Sequence, residues 1–277
     1  MIIDSSQGND VMTPAKPLVL ITGAASGLGW ALAQQYHQAG CGLILVDIQS
    51  ELLSEQANKL TGSAQVSTLV ADMTKRDDLQ AIAQHVTQVH GSLDVLINNA
   101  GITHRSLVEK TQPDVFRKVM AVDYQGPVEL TLALLPLLKN SKGTIINVSS
   151  MAGWMPVLGR AGYCAAKSAL HQFFEVLRCE VRQYGVKVLM VYPSFLDTPI
   201  EKNALGFDGK PAEHARTKVG ATGNAEDVAK QNFNAHQKNK ERLFPDKFTW
   251  FASVLYKLVP SLFLKMMTNK FSKEMDT

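Results

Sequence analysis

Hydrophobic residues along this chain fall into two rhythms that alternate six times. Short apolar runs occur at Leu18 to Thr22, Leu43 to Val46, Val66 to Ala71, Leu93 to Ile97, Thr144 to Val148 and Val186 to Val191, most of them stopped by glycine, asparagine or aspartate. Near-continuous runs of this length suit strands buried on both faces. Between them apolar residues recur at helical spacing over 30–38, from about Ser50, and over 76–90, 113–138, 161–184 and 225–237. Gly126-Pro127 sets a bend within the fourth of these. Strands that alternate with helices must pair in parallel through crossovers, which predicts an α/β domain with a doubly wound parallel sheet.

The pattern divides the chain into a polar arm (1–16), the sheet domain (17–240) and an amphipathic extension (241–277). In the extension, Phe251, Val254, Leu255 and Leu258 share one helical face, Pro260 interrupts, and Phe263, Met266 and Met267 resume. From Lys247 to Lys273 there are five lysines and no acid. Three uses compete: packing on the chain's own domain or a partner subunit, a lid over the substrate, or a basic amphipathic anchor giving peripheral contact with a membrane surface.

Bulk numbers narrow the classes. At 277 residues and 45% hydrophobic the chain can bury a full core. A net charge of +3, with basic residues scattered, argues against nucleic-acid binding. No run approaches the ~18 apolar residues of a membrane span. Met1 to Pro14 carry Asp4 and Asp10 and no apolar stretch, which argues against a signal peptide. Cys41, Cys164 and Cys179 are odd in number and lack metal-ligand spacing, so a reduced, metal-free, cytoplasmic protein is expected.

The chemistry gathers at the carboxyl ends of the strands, where doubly wound sheets bind ligands. Gly23-Ala-Ala-Ser-Gly27-Leu-Gly29 joins the first strand to a helix, a turn that lets backbone amides and the helix dipole hold a pyrophosphate. Asp47 ends the second strand and is placed to accept both ribose hydroxyls of an adenosine, favouring NAD and repelling the 2′-phosphate of NADP; a helix cap at Ser50 is the alternative use. Asp72 ends the third strand and Asn98-Asn-Ala-Gly101 the fourth. Ser150 follows the fifth, and Tyr163 and Lys167 stand four apart on the next helix, where an ammonium beside a phenol would lower its pKa. A solvated helix face would supply the same spacing. Phe195 to Thr222 lacks periodicity and contains Gly206, Gly209, Pro211 and Gly220, suggesting a mobile loop able to close over the cofactor.

Taken together and in order, Thr22-Gly-Ala-Ala-Ser-Gly-Leu-Gly29, Asp72 with Thr74, Asn98-Asn-Ala-Gly101, Ser150, Tyr163-x-x-x-Lys167 and Pro193 through Thr198 resemble the short-chain dehydrogenase/reductase family over about residues 17 to 240. The resemblance implies a Rossmann-type fold and hydride transfer between the nicotinamide and a carbonyl carbon. Tyr163 would be the proton donor or acceptor, Ser150 would bond the reacting oxygen, and Lys167 would bind the nicotinamide ribose and keep the tyrosine acidic. Cofactor contacts are expected at Gly23, Ser26, Gly27, Leu28, Gly29, Asp47, Ile48, Asp72, Met73, Asn99, Ala100, Gly101, Tyr163, Lys167, Pro193 and Thr198, the last touching the carboxamide.

Two positions depart from the family's pattern. Asp123 stands where the family has an asparagine whose backbone carbonyl orders a water beside the catalytic lysine. Ser194 replaces a glycine after the proline. Trp154, Met155, Val157, Leu158, Phe195 and Leu196 flank the expected chemistry, suggesting an apolar secondary alcohol or ketone as substrate. An NADP-linked reductase, and a catalytically silent dinucleotide-binding sensor or scaffold, are the competing functions. The resemblance also implies a homodimer or homotetramer built through helices 113–138 and 161–184.

Overall fold

The computed structural model describes residues 16–213 and 222–275, the side chains of 272–275 excepted. The N-terminal arm, save Lys16, and part of the loop expected over 195–222 therefore lie outside the described residues. In chain order the elements are β1 (Leu18–Thr22), α1 (Gly27–Gln38), β2 (Gly42–Asp47), α2 (Ser50–Ala57), β3 (Val66–Val70), α3 (Arg76–His85), β4 (Val95–Asn98), α4 (Pro113–Met120) and α5 (Gly126–Ser141). They continue with β5 (Thr144–Val148), α6 (Ala161–Val181), β6 (Lys187–Val191), α7 (Pro199–Lys202), α8 (Ala225–Gln237), β7 (Arg242–Leu243), α9 (Lys247–Leu258) and α10 (Pro260–Met275).

All pairings are parallel and the order is β3-β2-β1-β4-β5-β6-β7. Successive strands run outward from β1 to one edge and from β4 to the other, so the order reverses between β1 and β4. That reversal opens a crevice above the strand ends. Side chains alternate across the sheet: Val19 and Ile21 pack with α1 and α8, while Leu20 packs with α3, α5 and α6. On the first face Tyr36 of α1 is fully buried and meets Phe233 of α8 edge to face at 5.1 Å.

Six strands are expected from the sequence, and a seventh, β7, is present. Two residues long with an exposed arginine, it carries no run that periodicity could find. The helix expected over 113–138 is two helices joined by a π-helical turn, Ala121–Gln125, so the irregularity precedes Gly126-Pro127. Gly126 lets this junction approach the loop after β3, since a Cβ there would lie 2.5 Å from the carbonyl oxygen of Met73. The described part of segment 195–222 is tied down: α7 interrupts it, and bridges pair Leu205 with His104 and Pro211, and Leu196 with Gly223.

The extension forms α9 and α10, with Pro260 opening the second helix. The expected face is split: Phe251 and Leu258 are 60% and 76% exposed, Val254 is half-buried, and Leu255 packs against the cluster of Met151, Met155 and Phe263. The Asp246 carboxylate caps α9 by accepting from the amide and hydroxyl of Thr249, and this turns Thr249, Ala252 and Ser253 inward. On α10, Phe263 and Phe271 are buried and Met266 is exposed.

Candidate active site

The cofactor end of the crevice is built where the loops after β1 and β4 interlock. Thr22 Oγ1 accepts from the amides of Asn99 and Ala100, each at 3.1 Å, and the Asn99 side chain donates to the carbonyls of Thr22 and Gly23. The approach is close enough to exclude side chains. A Cβ on Gly23 (φ +66°) would sit 2.8 Å from Ala100 Cα, and one on Gly29 would sit 1.9 Å from the carbonyl oxygen of Gly23. Ser26 occupies the N-cap position of α1, and Gly27, Leu28 and Gly29 form its first turn, where amides have no intrahelical acceptor.

Asp47 is buried, with Oδ2 accepting from the Ala25 amide (2.9 Å) and Oδ1 from the Gln49 amide (3.0 Å). Its carboxylate thus braces the glycine turn against the β2–α2 turn, while the N-cap position of α2 belongs to Gln49. Ile48 is exposed at the rim. Burial pushes the Asp72 carboxyl up, but hydrogen bonds from the Thr74 amide and hydroxyl, with Lys75 and Lys118 nearby, bring it below its ordinary range. Thr198 closes on the glycine turn from the far side, its Cβ being 3.1 Å from where a Gly27 Cβ would lie.

Every expected cofactor contact, from Gly23 round to Thr198, lines one crevice of about 790 Å³, as do Ser150 and Ser194. The residues fit a nicotinamide dinucleotide: open amides for a pyrophosphate, a fixed carboxylate at the end of β2 for ribose hydroxyls, and a glycine cradle admitting backbone contact.

At the other end, Ser150 caps a 3₁₀ turn, Met151–Gly153, by accepting from the Ala152 amide at 3.1 Å, which fixes its hydroxyl. That hydroxyl acts on the phenol of Tyr163, favouring its ionised form. The start of α6 is positioned by His104, whose Nε2 accepts from the Gly162 amide at 2.9 Å. Burial, with Arg160 beside it, lowers that imidazole's pKa to about 4, so it stays the neutral acceptor this bond needs. His104 carried no recognisable signal in the sequence, because its partner is a backbone amide 58 residues away.

The ammonium of Lys167 donates to the Val148 carbonyl (3.1 Å), lies 3.3 Å from Asp123 Oδ2 and stands 5.7 Å from the Tyr163 ring centroid. Asp123 is fully buried in the π-helical turn, outside the crevice lining, with Oδ1 accepting from the Ile102 amide. Burial raises its carboxyl above the ordinary range against the pull of Lys167 and that amide. The expected depression of the tyrosine's pKa is not found: Tyr163 is shifted upward, first by burial, then by the negative charge of Asp123, with the Ser150 hydroxyl opposing. An aspartate here draws the lysine's charge to itself and adds a repulsion that an asparagine would lack.

Of the six apolar residues expected around the substrate, Val157, Phe195 and Leu196 line the crevice, joined by Met151 and Ala152. Trp154, Met155 and Leu158 do not. Trp154 makes tilted and edge contacts with the rings of His171, Tyr192 and Phe244, Met155 packs under α9 and α10, and Leu158 joins the cluster around Phe271. Arg160, Glu201 and Asn203 add polar groups to the crevice wall that apolar pattern reading passes over.

Comparisons with known proteins agree with this geometry. The family described as short chain dehydrogenase matches residues 17–206. Dehydrogenase/reductase SDR family member 7B of Mus musculus is 35% identical over 264 residues, covering 93% of this chain and 82% of the relative. A short chain dehydrogenase/reductase from Burkholderia phymatum, solved in complex with NAD, superposes with a TM-score of 0.79 at 22% identity, over 89% of this chain and 95% of that one. A short-chain dehydrogenase from Sphingobium yanoikuyae in complex with NADPH gives 0.75 at 24% identity, over 83% and 88%. With the sheet order, the glycine turn and the Ser150, Tyr163, Lys167 cluster in one crevice, these matches establish that the chain belongs to the short-chain dehydrogenase/reductase family.

Proposed function

We propose that the protein is an NAD-linked oxidoreductase interconverting an apolar secondary alcohol and its ketone, with Tyr163 as general acid and base. The observation that carries this reading is the convergence of the Tyr163 phenol, the Ser150 hydroxyl and the Lys167 ammonium at the crevice end opposite Asp47. Gly23 to Gly29 would hold the pyrophosphate, Asp47 the adenosine ribose, and Lys167 the nicotinamide ribose. When bound, the nicotinamide supplies or accepts the hydride.

The protein's own part is proton transfer and charge stabilisation. Ser150 and Tyr163 offer two fixed donors to the reacting oxygen, so negative charge growing there is met without reorganisation. In reduction Tyr163 gives up its proton; in oxidation it must first lose one. An upward-shifted phenol stays protonated through neutral pH, which suits the acid role and favours the reductive direction there. Val157, Phe195 and Leu196 support an apolar substrate body beside these donors.

Preference for NAD follows from the buried Asp47 carboxylate, whose charge opposes a 2′-phosphate. A titration of both dinucleotides checks it, and tighter NADP binding would overturn it. For the catalytic reading, Tyr163→Phe is expected to reduce turnover of an apolar ketone panel by roughly 10²–10³-fold while dinucleotide affinity is kept. A wild-type protein that binds dinucleotide but turns over nothing on such a panel would instead favour the silent sensor.

A further inference from the structure

Helix α9 packs through Thr249, Ala252 and Ser253, with Leu255 and Tyr256 partly buried beside them, yet Trp250, Phe251 and Leu258 are 54%, 60% and 76% exposed. The exposed apolar strip runs on through Val259, Leu262 and Met266 into α10. Among the described residues, eight of the sixteen exposed large hydrophobic side chains fall between Phe248 and Met266, so this is a concentrated patch rather than ordinary scatter.

Charge decides what covers it. Residues 247–273 contain five lysines and no acid, and Lys247 and Lys265 are exposed beside the strip. Lysine is depleted from protein–protein interfaces but enriched where apolar helices lie on anionic lipid. Among the described residues no helix is long and apolar enough to cross a membrane, so contact of this kind is with the surface. Position gives the patch a use. The opposite side of α9 and α10 packs on Met151, Met155, Ala152 and Val157, and a small apolar cavity of about 40 Å³ beneath them shares Met151, Val157 and Phe195 with the main crevice.

We propose that the outer face of α9 and α10 docks on an anionic lipid bilayer, with Trp250, Phe251 and Leu258 entering the headgroup boundary and Lys247 and Lys265 meeting lipid phosphates. The surface brings the apolar end of the crevice next to the phase in which apolar substrates dissolve. It does not depend on the catalytic reading, and failure of either leaves the other standing.

The test is flotation of the full-length protein with vesicles of phosphatidylcholine alone or with added phosphatidylglycerol, followed also by tryptophan fluorescence. Binding to the phosphatidylglycerol vesicles should be stronger by roughly tenfold or more and should fall as salt rises. The triple variant Trp250→Ser, Phe251→Ser, Leu258→Ser should lose flotation while keeping its dinucleotide affinity and elution volume. Lys247→Glu with Lys265→Glu should bind the two vesicle types alike. The proposal is overturned if the native protein floats with neither vesicle, if it binds both equally, or if the triple variant elutes as a smaller species, which would mean a second copy covers the face.

Discussion

Asp123 is the residue whose chemistry most distinguishes this site. Its carboxylate is fully buried 3.3 Å from the Lys167 ammonium, and the Tyr163 phenol is raised first by burial and then by Asp123, with smaller contributions from Glu201 and Cys164, against the Ser150 hydroxyl. Replacing Asp123 by asparagine keeps an acceptor for the Ile102 amide and removes the charge. The sign then follows. With a negative neighbour gone, the phenolate is less disfavoured and the tyrosine pKa falls. Oxidation needs the phenolate, so Asp123→Asn should move the rising limb of its pH–rate profile toward acid and speed oxidation severalfold at neutral pH. Reduction needs the phenol, and its falling limb should move the same way. A pH profile of kcat/KM in both directions checks this; an alkaline movement would contradict the assigned electrostatics. A merely structural aspartate would change stability without moving either limb.

At the scale of elements, the glycine turn between β1 and α1 is set by clearance. A methyl at Gly29 would meet the Gly23 carbonyl oxygen at 1.9 Å and carbonyl carbon at 2.8 Å, and the side-chain Nδ2 of Asn99 at 2.6 Å, so backbone would have to move. Gly29→Ala should therefore destabilise the protein by about 1–3 kcal/mol, as overpacking does, and weaken dinucleotide binding more than tenfold because the same turn presents the amides. Urea unfolding and a binding titration read the two effects separately. This turn, like β1, β2, β5 and α8, was legible in the sequence because glycine spacing and continuous apolar runs are local signals. What stayed illegible depends on distant partners. The π-helical turn at 121–125 has no residue signature, and the bond from Gly162 to His104 joins positions 58 apart. The Tyr163–Lys167 spacing was visible, but the direction of the phenol's shift was not, since it depends on burial and on Asp123 arriving from another helix.

For the whole molecule, the question is how α9 and α10 are coupled to the site they cover. Phe263 packs with Met151, Met155 and Ala252, and Phe271, 1% exposed, packs with Ala152 and Val157 in a cluster that also touches Tyr163. These helices meet the sheet domain through a few large side chains, which makes them a unit able to open locally without global unfolding. Truncating a buried phenylalanine to alanine costs about 3–5 kcal/mol in a packed core. If the unit opens locally, removing both rings costs about that much per ring, and in the extension alone. Phe263→Ala with Phe271→Ala should then expose the amides of α9 and α10 to hydrogen exchange and make residues 247–275 sensitive to protease, while the urea midpoint of the sheet domain barely moves. Because Met151, Ala152 and Val157 lie at the substrate end and Asp47 with Gly23 to Gly29 at the other, KM for an apolar ketone should rise several-fold with dinucleotide affinity unchanged. A loss of both affinities together, or a single cooperative unfolding at a much lower midpoint, would show instead that the extension is one cooperative unit with the sheet.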